Sequence, residues 1–382
     1  MDWCGDFSFP TRVVFGPGRS RELPALVRDW GTQALVVTDE GLLSSGAAEP
    51  VFAALRESQL DYRVFDGVES NPSEENVMEG LRRFQQDCDF LIAIGGGSVL
   101  DAAKAIRLLA THEGPLAPYD DLKDGSERIG PDLPPLVAIP TTAGTGSEVG
   151  RSTVITVGGR KTVIFSPYLV PTIALCDPEL TLGLPGRVTA GTGADALIHN
   201  LEAYLARGFH PLCDAIALDG MRRAMRWLAA AVHNGRNLEA RTQMMIAAMM
   251  GAVAFQKGLG VVHSLAHPLS TIAGMHHGTA NAVMLPHALR FNREVIRHRI
   301  GAVAHALAVP ESHVPDETVE RVADALAALF ADIGLPKRLR EAGVTRALLA
   351  PMAGLAIQDG CHLSNPRNVT RQDMLALYEA AL

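Results

Sequence analysis

The sequence predicts an α/β domain with a parallel sheet over residues 1–185 and an all-helical domain over residues 186–382. In the first part, short apolar runs alternate with amphipathic segments, which is typical of β/α units around a parallel sheet. After LPGRVT (184–189), runs of strand length stop, and long stretches rich in Ala, Met and Leu follow at helical spacing. A chain of 382 residues also suits two to three domains of roughly 100–200 residues each.

Each predicted element follows from this change of pattern. In the first domain, apolar runs predict strands at ALVVTD (34–39), DYRVFDG (61–67), DFLIAIGGG (89–97), PLVAIPTT (135–142) and PTIALCD (171–177). Between them, GLLSSGAAEPVFAALRES and EENVMEGLRRFQQ predict helices at residues 41–58 and 74–86. In the second domain, helices are predicted at residues 215–233, 239–255, 319–333 and 371–382.

Composition limits the partners that we expect for this chain. Hydrophobic residues make up 47% and the net charge is −8, which suits a large buried core and opposes binding to nucleic acid. The five cysteines are scattered and form no CxxC pair, which is typical of free thiols in a reducing compartment. We find no signal-peptide pattern and no apolar run of about 18 residues. We therefore expect a cytoplasmic protein with neither a nucleic-acid nor a membrane partner.

A glycine-rich turn in the first domain predicts an anion site. The stretch DFLIAIGGGSVLDAAKAI reads as a strand, a turn and a helix, so backbone N–H groups at the helix start can face a phosphate. The motif lacks the third glycine of G-x-G-x-x-G, and a tight turn without a ligand is an alternative. Ser98 and Asp101 have the S-x-x-D spacing of a helix capping pair, which has a purely structural use.

Two further features favour a dinucleotide. Asp39 ends the strand ALVVTD, where a carboxylate can bind the adenosine ribose and repel a 2′-phosphate, favouring NAD over NADP. A helix cap is an equally good reading of Asp39 alone. The loop IPTTAGTGSEVG (139–150) also combines small, hydroxyl and glycine residues after a strand. Two such loops predict that the first domain binds a dinucleotide.

Paired carboxylate and imidazole side chains predict a metal site in the second domain. Asp195 and His199 are four residues apart on a predicted helix, and His263 and His267 repeat that spacing on another. A hydrogen-bonded structural pair is the common alternative for one such pair. An aspartate with several histidines suits Fe²⁺, Zn²⁺, Co²⁺ or Ni²⁺. Spacing alone leaves open which histidines bind.

The sequence resembles the iron-containing (group III) alcohol dehydrogenases over nearly its whole length. The resemblance rests on GGGSVLDAAK, PTTAGTGSEV, DPELTLGLP, TGADALIHNLEAY, GLGVVHSLAHPLS, HHGTANAVMLPH and the late NPR at residues 365–367, in this order. It implies that His267 orients groups or relays protons near the nicotinamide and that His276 has no role. It implies metal ligands at Asp195, His199, His263 and His277.

The resemblance also implies a cofactor, a metal and a reaction. A divalent metal, Fe²⁺ or else Zn²⁺ or another ion, polarises an alcohol or aldehyde oxygen, while NAD(H) accepts or supplies the hydride. We therefore expect oxidoreduction of a small primary alcohol or aldehyde by a homo-oligomer, in the simplest case a dimer. The dinucleotide contacts of the family fall on Asp39, Asn71, Gly96, Gly97, Ser98, Asp101, Thr141, Thr142, Thr145, Lys161 and Leu180.

Two cations depart from the family pattern near the expected substrate cleft. Arg151 follows Gly150 where many relatives have Thr, and Lys257 precedes His263 where relatives commonly have a small neutral residue. Two cations at a domain or subunit surface are the simpler reading. The alternative hypothesis is that one of them binds an acidic group of the substrate.

Two other functional classes remain open at this point. A lyase or cyclase of the dehydroquinate synthase type shares a related fold, a GGG loop, NAD and a metal. The spacing of TGADALIHNLEAY and HPLS…HHG favours the dehydrogenase over it. A non-catalytic nucleotide-binding protein is disfavoured, because a complete set of metal ligands has no evident use in binding alone.

Overall fold

The computed structural model describes residues 9, 11–58 and 60–382, which fold into two compact units. The sheet unit consists of Phe9–Thr142 and Gly146–Leu184. Among the described residues, the helical unit consists of Ala143–Thr145 and Pro185–Leu382. The chain therefore changes unit at Pro185, and three residues of the IPTTAGTGSEVG loop belong to the helical unit.

The sheet unit contains a parallel sheet and a separate hairpin. Within the described residues, the parallel sheet has six strands in the order β1-β8-β5-β4-β2-β3, and β6 pairs with β7 antiparallel. The strands are β1 (Arg12–Phe15), β2 (Gln33–Val37), β3 (Asp61–Phe65), β4 (Phe90–Gly95), β5 (Leu136–Pro140), β6 (Ser152–Val157), β7 (Arg160–Phe165) and β8 (Ile173–Cys176).

The helices cover both faces of the sheet and build the whole of the second unit. Those of the sheet unit are α1 (Leu23–Val27), α2 (Glu40–Ser45), α3 (Glu49–Glu57), α4 (Glu74–Phe84) and α5 (Gly97–Leu109). Those of the helical unit are α6 (Gly186–Leu205), α7 (Pro211–His233), α8 (Leu238–Ala254), α9 (Val261–Ala273), α10 (His277–Ile296), α11 (Ile300–Ala306), α12 (Pro315–Asp332), α13 (Arg346–Ala356) and α14 (Arg371–Ala381).

Alternate side chains of each strand enter two separate cores. In β4, Leu91 and Ala93 pack with α4 and α5 on one face, while Ile92 and Ile94 pack with α1 and α3 on the other. All residues of β4 are buried. A strand buried on both faces is uniformly apolar, which explains why DFLIAIGGG was recognisable in the sequence.

The strand order reverses between β2 and β4, and open α/β sheets have their ligand crevice at such a point. The chain leaves β2 toward β3 on one side and leaves β4 toward β5 on the other, although the two strands are paired neighbours, with Val37 opposite Ala93. Ligands of open α/β sheets bind at the carboxyl ends of strands where the order reverses in this way. The fold therefore places the loops after β2 and β4 together.

Helix α6 lies at the centre of the helical unit, against α7, α8 and α10. A Cβ on Gly220 of α7 would lie 2.0 Å from Oδ1 of Asn200 on α6, so only glycine permits this approach.

In the described ranges, no single helix is both long and apolar enough to cross a membrane. One consecutive pair, Leu238–Lys257 and Val261–Ala273, has that length and composition together but is bent by 112°.

The predicted architecture is confirmed, with local corrections. The five predicted strands correspond to β2, β3, β4, β5 and β8, and β1 and the β6–β7 hairpin were missed. The hairpin had a signal, because apolar alternation flanks Gly158 and Gly159, whose φ angles of 58° and 77° suit a two-residue turn. The single helix predicted at residues 41–58 is two helices, since Gly46 ends α2 at φ 71°.

Candidate functional site

The residues predicted to bind a dinucleotide are gathered at the carboxyl edge of the parallel sheet. Gly96 and Gly97 follow β4, and Thr141 and Thr142 follow β5. The two loops touch, because Thr141 N donates to the carbonyl of Gly95 at 3.0 Å. The remaining predicted contacts in the sheet unit are Asp39 after β2, Asn71 after β3, Leu180 after β8, Ser98 and Asp101 on α5, and Lys161 on β7.

The start of α5 can accept an anion. Its N-cap, Gly96, provides no side-chain acceptor for the first N–H groups of the helix. The predicted capping pair does not form: Ser98 Oγ donates to Ser70 O at 2.7 Å, and Asp101 accepts from Ser147 Oγ at 2.6 Å. The first N–H groups of the helix therefore have no side-chain partner in this pair.

Asp39 is a helix cap at the crevice. Its Oδ1 accepts a hydrogen bond from Leu42 N at 2.8 Å and so caps α2. The side chain is half-buried. One carboxylate oxygen is thus used by the helix, and Oδ2 has no hydrogen bond within the described ranges. Both readings of the sequence are compatible with this geometry, since one carboxylate can cap a helix and bind a ribose hydroxyl.

Thr145 differs from the other predicted dinucleotide contacts because it belongs to the helical unit with Ala143 and Gly144. A Cβ on Gly144 would lie 2.8 Å from Cβ of Thr192, one turn before Asp195 on α6. This explains the small residues at the centre of PTTAGTGSEV. Gly144 allows the loop to approach the helix that carries the predicted metal ligands.

Helix α6 carries three ionisable side chains on one face. Asp195, His199 and Glu202 are separated by four and three residues, which places them along one side of the helix. All three are buried. Only the first two were predicted from the sequence. A buried carboxylate needs compensating partners, and α9 and α10 supply them.

The predicted metal ligands meet around the carboxylate of Asp195. Its Oδ1 lies 3.8 Å from His263 Nε2 and 3.6 Å from His277 Nε2, and these three donor atoms lie within 4.8 Å of one another. His199 adds Nδ1 at 3.8 Å from Asp195 Oδ2, and its ring stacks on that of His263 with centroids 4.6 Å apart. The four predicted residues are therefore brought together.

These residues fit a divalent cation. The buried Nδ1 of His199 has no hydrogen-bond partner among the described residues. Asn281 Nδ2 donates to Asp195 Oδ1 at 2.7 Å and lies 3.2 and 3.3 Å from Nε2 of His277 and His263. One carboxylate with neutral imidazoles suits Fe²⁺ or Zn²⁺.

Charge compensation shifts the pKa values of the cluster in opposite directions. Burial lowers the pKa of His199 to about 4, so this imidazole is neutral at pH 7. Burial opposes the charged form of His263 too, but hydrogen bonds to Asp195 and Glu202 outweigh it and raise its pKa to about 9. Burial opposes ionisation of Asp195, yet the imidazoles hold its pKa well below the usual range.

Glu202 holds both His263 and the start of α9. Its Oε2 accepts from His263 Nδ1 at 2.6 Å, and its Oε1 accepts from Val262 N at 2.8 Å. Asn365 Oδ1 accepts from Val261 N at 3.2 Å, which gives a structural use to the NPR motif. A Cβ on Gly260 would lie 2.5 Å from Glu202 Oε1, so the last glycine of GLG permits this close approach.

His267 has a carboxylate partner of its own. Its Nδ1 lies 2.6 Å from Asp359 Oδ2, and Asp359 also accepts from Ser264 Oγ at 2.7 Å. Burial would raise the pKa of Asp359, but His267 and the hydrogen bonds keep it well below the usual range. The His267 ring stacks on His277 at 5.3 Å. His267 is thus oriented beside the predicted ligands without meeting Asp195.

The neighbouring histidines at 276 and 277 have different surroundings. His277 begins α10 and is half-buried, whereas His276 is its exposed N-cap. Gly278 fixes this start, because a Cβ there would lie 1.9 Å from the carbonyl oxygen of Gly191. The close contact of α6 and α10 explains the glycine of HHG.

Lys257 requires a correction to the substrate hypothesis. Its ammonium donates to Asp214 Oδ1 at 2.6 Å and to Tyr204 O at 2.9 Å, and its side chain is 1% exposed. Lys257 therefore forms a buried ion pair within the helical unit and does not support the hypothesis of a substrate contact. Arg151 is half-buried, with its guanidinium 4.9 Å from the ring centroid of Phe165, and it alone carries the hypothesis further.

Sequence reasoning missed Glu202, Asn281 and Asp359. Glu202 had a signal, because it continues the face of Asp195 and His199 at helical spacing. Asn281 lies one turn after His277 on α10 and could have been found in the same way. Asp359 had no such signal, since it is 92 residues from His267 in the chain.

Comparisons with known proteins establish the family of this chain. The family model for iron-containing alcohol dehydrogenases matches residues 10–178, and the C-terminal model of the same family matches residues 189–382. A 4-hydroxybutyrate dehydrogenase of Cupriavidus necator is 43% identical, with 91% of this chain and 92% of that protein aligned. An NAD-dependent methanol dehydrogenase of Bacillus methanolicus is 37% identical, over 99% of this chain and 100% of that protein.

A solved structure shares the whole fold. The crystal structure of a 1,3-propanediol oxidoreductase superimposes with a TM-score of 0.94 at 38% identity, covering 99% of each chain. These relatives support alcohol and aldehyde oxidoreduction rather than the lyase or the non-catalytic alternative. The chain belongs to the iron-containing alcohol dehydrogenase family.

Proposed function

We propose that this chain interconverts a short primary alcohol and its aldehyde, with NAD(H) as the hydride carrier and a divalent metal held by Asp195, His199, His263 and His277. The observation that carries the proposal is the convergence of donor atoms from α6, α9 and α10 around Asp195. The crevice at the carboxyl ends of β2 and β4 supports the dinucleotide part of the proposal.

The four ligand residues divide the work of holding a cation. Asp195 supplies the negative charge, and Asn281 orients its Oδ1. Glu202 accepts the Nδ1 proton of His263, which directs Nε2 toward Asp195. When bound, the metal supplies Lewis-acid polarisation of the substrate oxygen. We favour Fe²⁺ on the family resemblance, and Zn²⁺ suits the same donors.

His267 is proposed to exchange a proton with the substrate side of the site. Its Nδ1 is held by Asp359, so Nε2 is the ring atom that remains for proton transfer. The Asp359 carboxylate holds the imidazole ring in one orientation. Stacking on His277 keeps the ring beside the ligand cluster.

The dinucleotide is proposed to span three loops of the sheet unit. Asp39 after β2 binds the ribose, the N-terminus of α5 binds the pyrophosphate, and the loop after β5 contacts the nicotinamide half. The other proposed contacts in this unit are Asn71, Gly96, Gly97, Ser98, Asp101, Thr141, Thr142, Lys161 and Leu180.

We also propose a cytoplasmic homodimer. The described cysteines, Cys88, Cys176, Cys213 and Cys361, are free thiols, which supports a reducing compartment. The dimer rests on the family resemblance alone. Size-exclusion chromatography with light scattering measures the assembly directly, and a monomer would reject this part of the proposal.

The relatives leave open whether the substrate carries an acidic group. We expect turnover of both 4-hydroxybutyrate and 1,4-butanediol, which have carbon chains of equal length, with metal-loaded protein followed at the NADH absorbance. If Arg151 binds the carboxylate, Arg151→Met should lower kcat/KM for the acid alone by roughly tenfold to hundredfold, because a charge-assisted hydrogen bond contributes about 1.5–3 kcal/mol.

Lys257→Met serves as the control, because the Lys257 ammonium is paired with Asp214. This variant should therefore show no loss of kcat/KM that is confined to the acid. Losses of equal size on the acid and the diol in Arg151→Met would reject the carboxylate contact. Absence of NADH formation with every short alcohol, in protein of full metal content, would reject the proposed reaction.

Metal content should distinguish the two adjacent histidines at the start of α10. His277→Ala should lose the ion, whereas His276→Ala should retain it, because His277 Nε2 lies 3.6 Å from Asp195 Oδ1 and His276 is not one of the proposed ligands. Glu202→Gln should weaken binding by roughly tenfold to hundredfold, since it orients a ligand. Atomic emission after dialysis against a defined metal concentration measures all three. Retention by His277→Ala with loss by His276→Ala contradicts the ligand assignment.

Cofactor preference should depend on the charge of Asp39. Wild-type protein should prefer NAD, because a carboxylate repels a 2′-phosphate. Asp39→Asn keeps an acceptor for the N-cap of α2 and removes only the charge, so the preference should narrow without loss of stability. The measurement is the ratio of kcat/KM for NAD to that for NADP in the wild type and in Asp39→Asn. A wild-type preference for NADP would refute the assignment of Asp39 to the adenosine ribose.

A further inference from the structure

Lys104 is a fully buried cation in the sheet unit that no part of the reaction uses. It lies on α5, two turns after the glycine loop, with no exposed surface. Its Nζ donates to Ser147 Oγ at 2.9 Å, to Gly150 O at 2.9 Å and to Ser152 O at 2.8 Å. An ammonium has three protons to donate, so these acceptors satisfy it completely.

Asp101 binds the same segment one turn earlier on α5. It accepts from Ser147 Oγ at 2.6 Å and from Val154 N at 3.0 Å. Thr153 Oγ1 donates to the backbone carbonyl of Asp101 at 2.7 Å. The two side chains thus make five hydrogen bonds to residues 147–154, two of them to the Ser147 hydroxyl, and the Asp101 carbonyl accepts a sixth from Thr153.

We infer that Lys104 is a positioning residue for the dinucleotide, because it fixes the loop after β5 to the helix whose N-terminus follows β4. The inference rests on the proposed function, in which these two loops form adjacent walls of the dinucleotide crevice. Lys104 itself lies too deep to contact the ligand. It acts through the segment that begins at Ser147, directly after PTTAGTG.

The strand order determines which half of the dinucleotide depends on this connection. From β2 through β4 to β5, the loops pass from the proposed ribose site to the proposed pyrophosphate site and then to the nicotinamide side. Of these loops, Lys104 forms hydrogen bonds only to the loop after β5, on the nicotinamide side. Its loss should therefore weaken binding of a complete dinucleotide and leave the adenosine half almost unaffected.

The charged groups around Lys104 are consistent with an ammonium that holds the loop through hydrogen bonds. Burial lowers the pKa of Lys104 to about 8, offset in part by Asp101 and Glu148 and further lowered by Arg107. Burial also raises the pKa of Glu148 to about 7. Asp101 faces Lys161 in addition. A buried ammonium is tolerated only when acceptors bind all of its protons. Replacing Lys104 by an apolar residue therefore removes its hydrogen bonds to Ser147, Gly150 and Ser152 together.

Arg107 provides a matched control on the same helix. It lies one turn beyond Lys104 and is 7% exposed. Its guanidinium donates to the carbonyls of Pro134 and Val170, which precede β5 and β8. These are the amino ends of the strands, opposite the edge that carries the dinucleotide loops. Loss of Arg107 should reduce stability without changing the crevice.

The test compares Lys104→Met with Arg107→Met in the full chain. Dissociation constants are measured for NADH by fluorescence and for AMP by calorimetry, and thermal midpoints report stability. We expect Lys104→Met to weaken NADH binding by roughly tenfold or more while AMP affinity changes less than about threefold. Arg107→Met should lower the midpoint and leave both affinities unchanged.

The outcomes separate this inference from the proposed function. Wild-type protein that binds no NADH would reject the proposed function. Wild-type binding with an unchanged ratio of NADH to AMP affinity in Lys104→Met would overturn the positioning role, as would an equal change in Arg107→Met. If Lys104→Met does not fold, Ser147→Ala removes one connection from each side chain, and it must shift the same ratio in the same direction for the inference to stand.

Discussion

Two buried carboxylates on one face of α6 determine the arrangement of the helical unit. Asp195 and Glu202 are both nearly inaccessible to water, where an uncompensated charge is costly. His263 lies between them, with Nδ1 on Glu202 and Nε2 toward Asp195. Glu202 also accepts from the backbone at the start of α9, so the same interaction orients a ligand and anchors the helix that carries His267. The arrangement of the proposed metal ligands and the packing of α6, α9 and α10 therefore depend on the same hydrogen bonds.

In the sheet unit, the buried charge that organises its surroundings is a cation, Lys104. Hydrogen bonds of Lys104 and Asp101 hold the loop after β5 against α5, and the parallel pairing of β2, β4 and β5 places the loop after β2 at the same edge. In the usual dinucleotide fingerprint the ribose acid follows the glycines, whereas the residue proposed for that role here, Asp39, precedes them in the chain. The reversed sequence order has a simple explanation, since β2 pairs directly with β4.

Much of the fold was predictable because buried parallel strands and long helices leave continuous apolar patterns. The β6–β7 hairpin was missed although Gly158 and Gly159 marked its turn. Spacing indicated a metal site and the family resemblance proposed its ligands, but the hydrogen-bond partners of these histidines are distant in the chain: Glu202 is 61 residues from His263, and Asp359 is 92 residues from His267. Spacing also could not show that Lys257 is paired with Asp214, since that contact spans 43 residues.

The central claim is that α6, α9 and α10 build one metal site around Asp195. A crystal structure of the protein loaded with Fe²⁺ or Zn²⁺, with anomalous scattering recorded at the edge of that metal, tests it most directly. The account predicts a single strong peak about 2.0–2.2 Å from Asp195, His199, His263 and His277, with Glu202 still bonded to His263 Nδ1. A peak at the second group of donors, His267, Asp359 and Cys361, with none beside Asp195, would contradict the account.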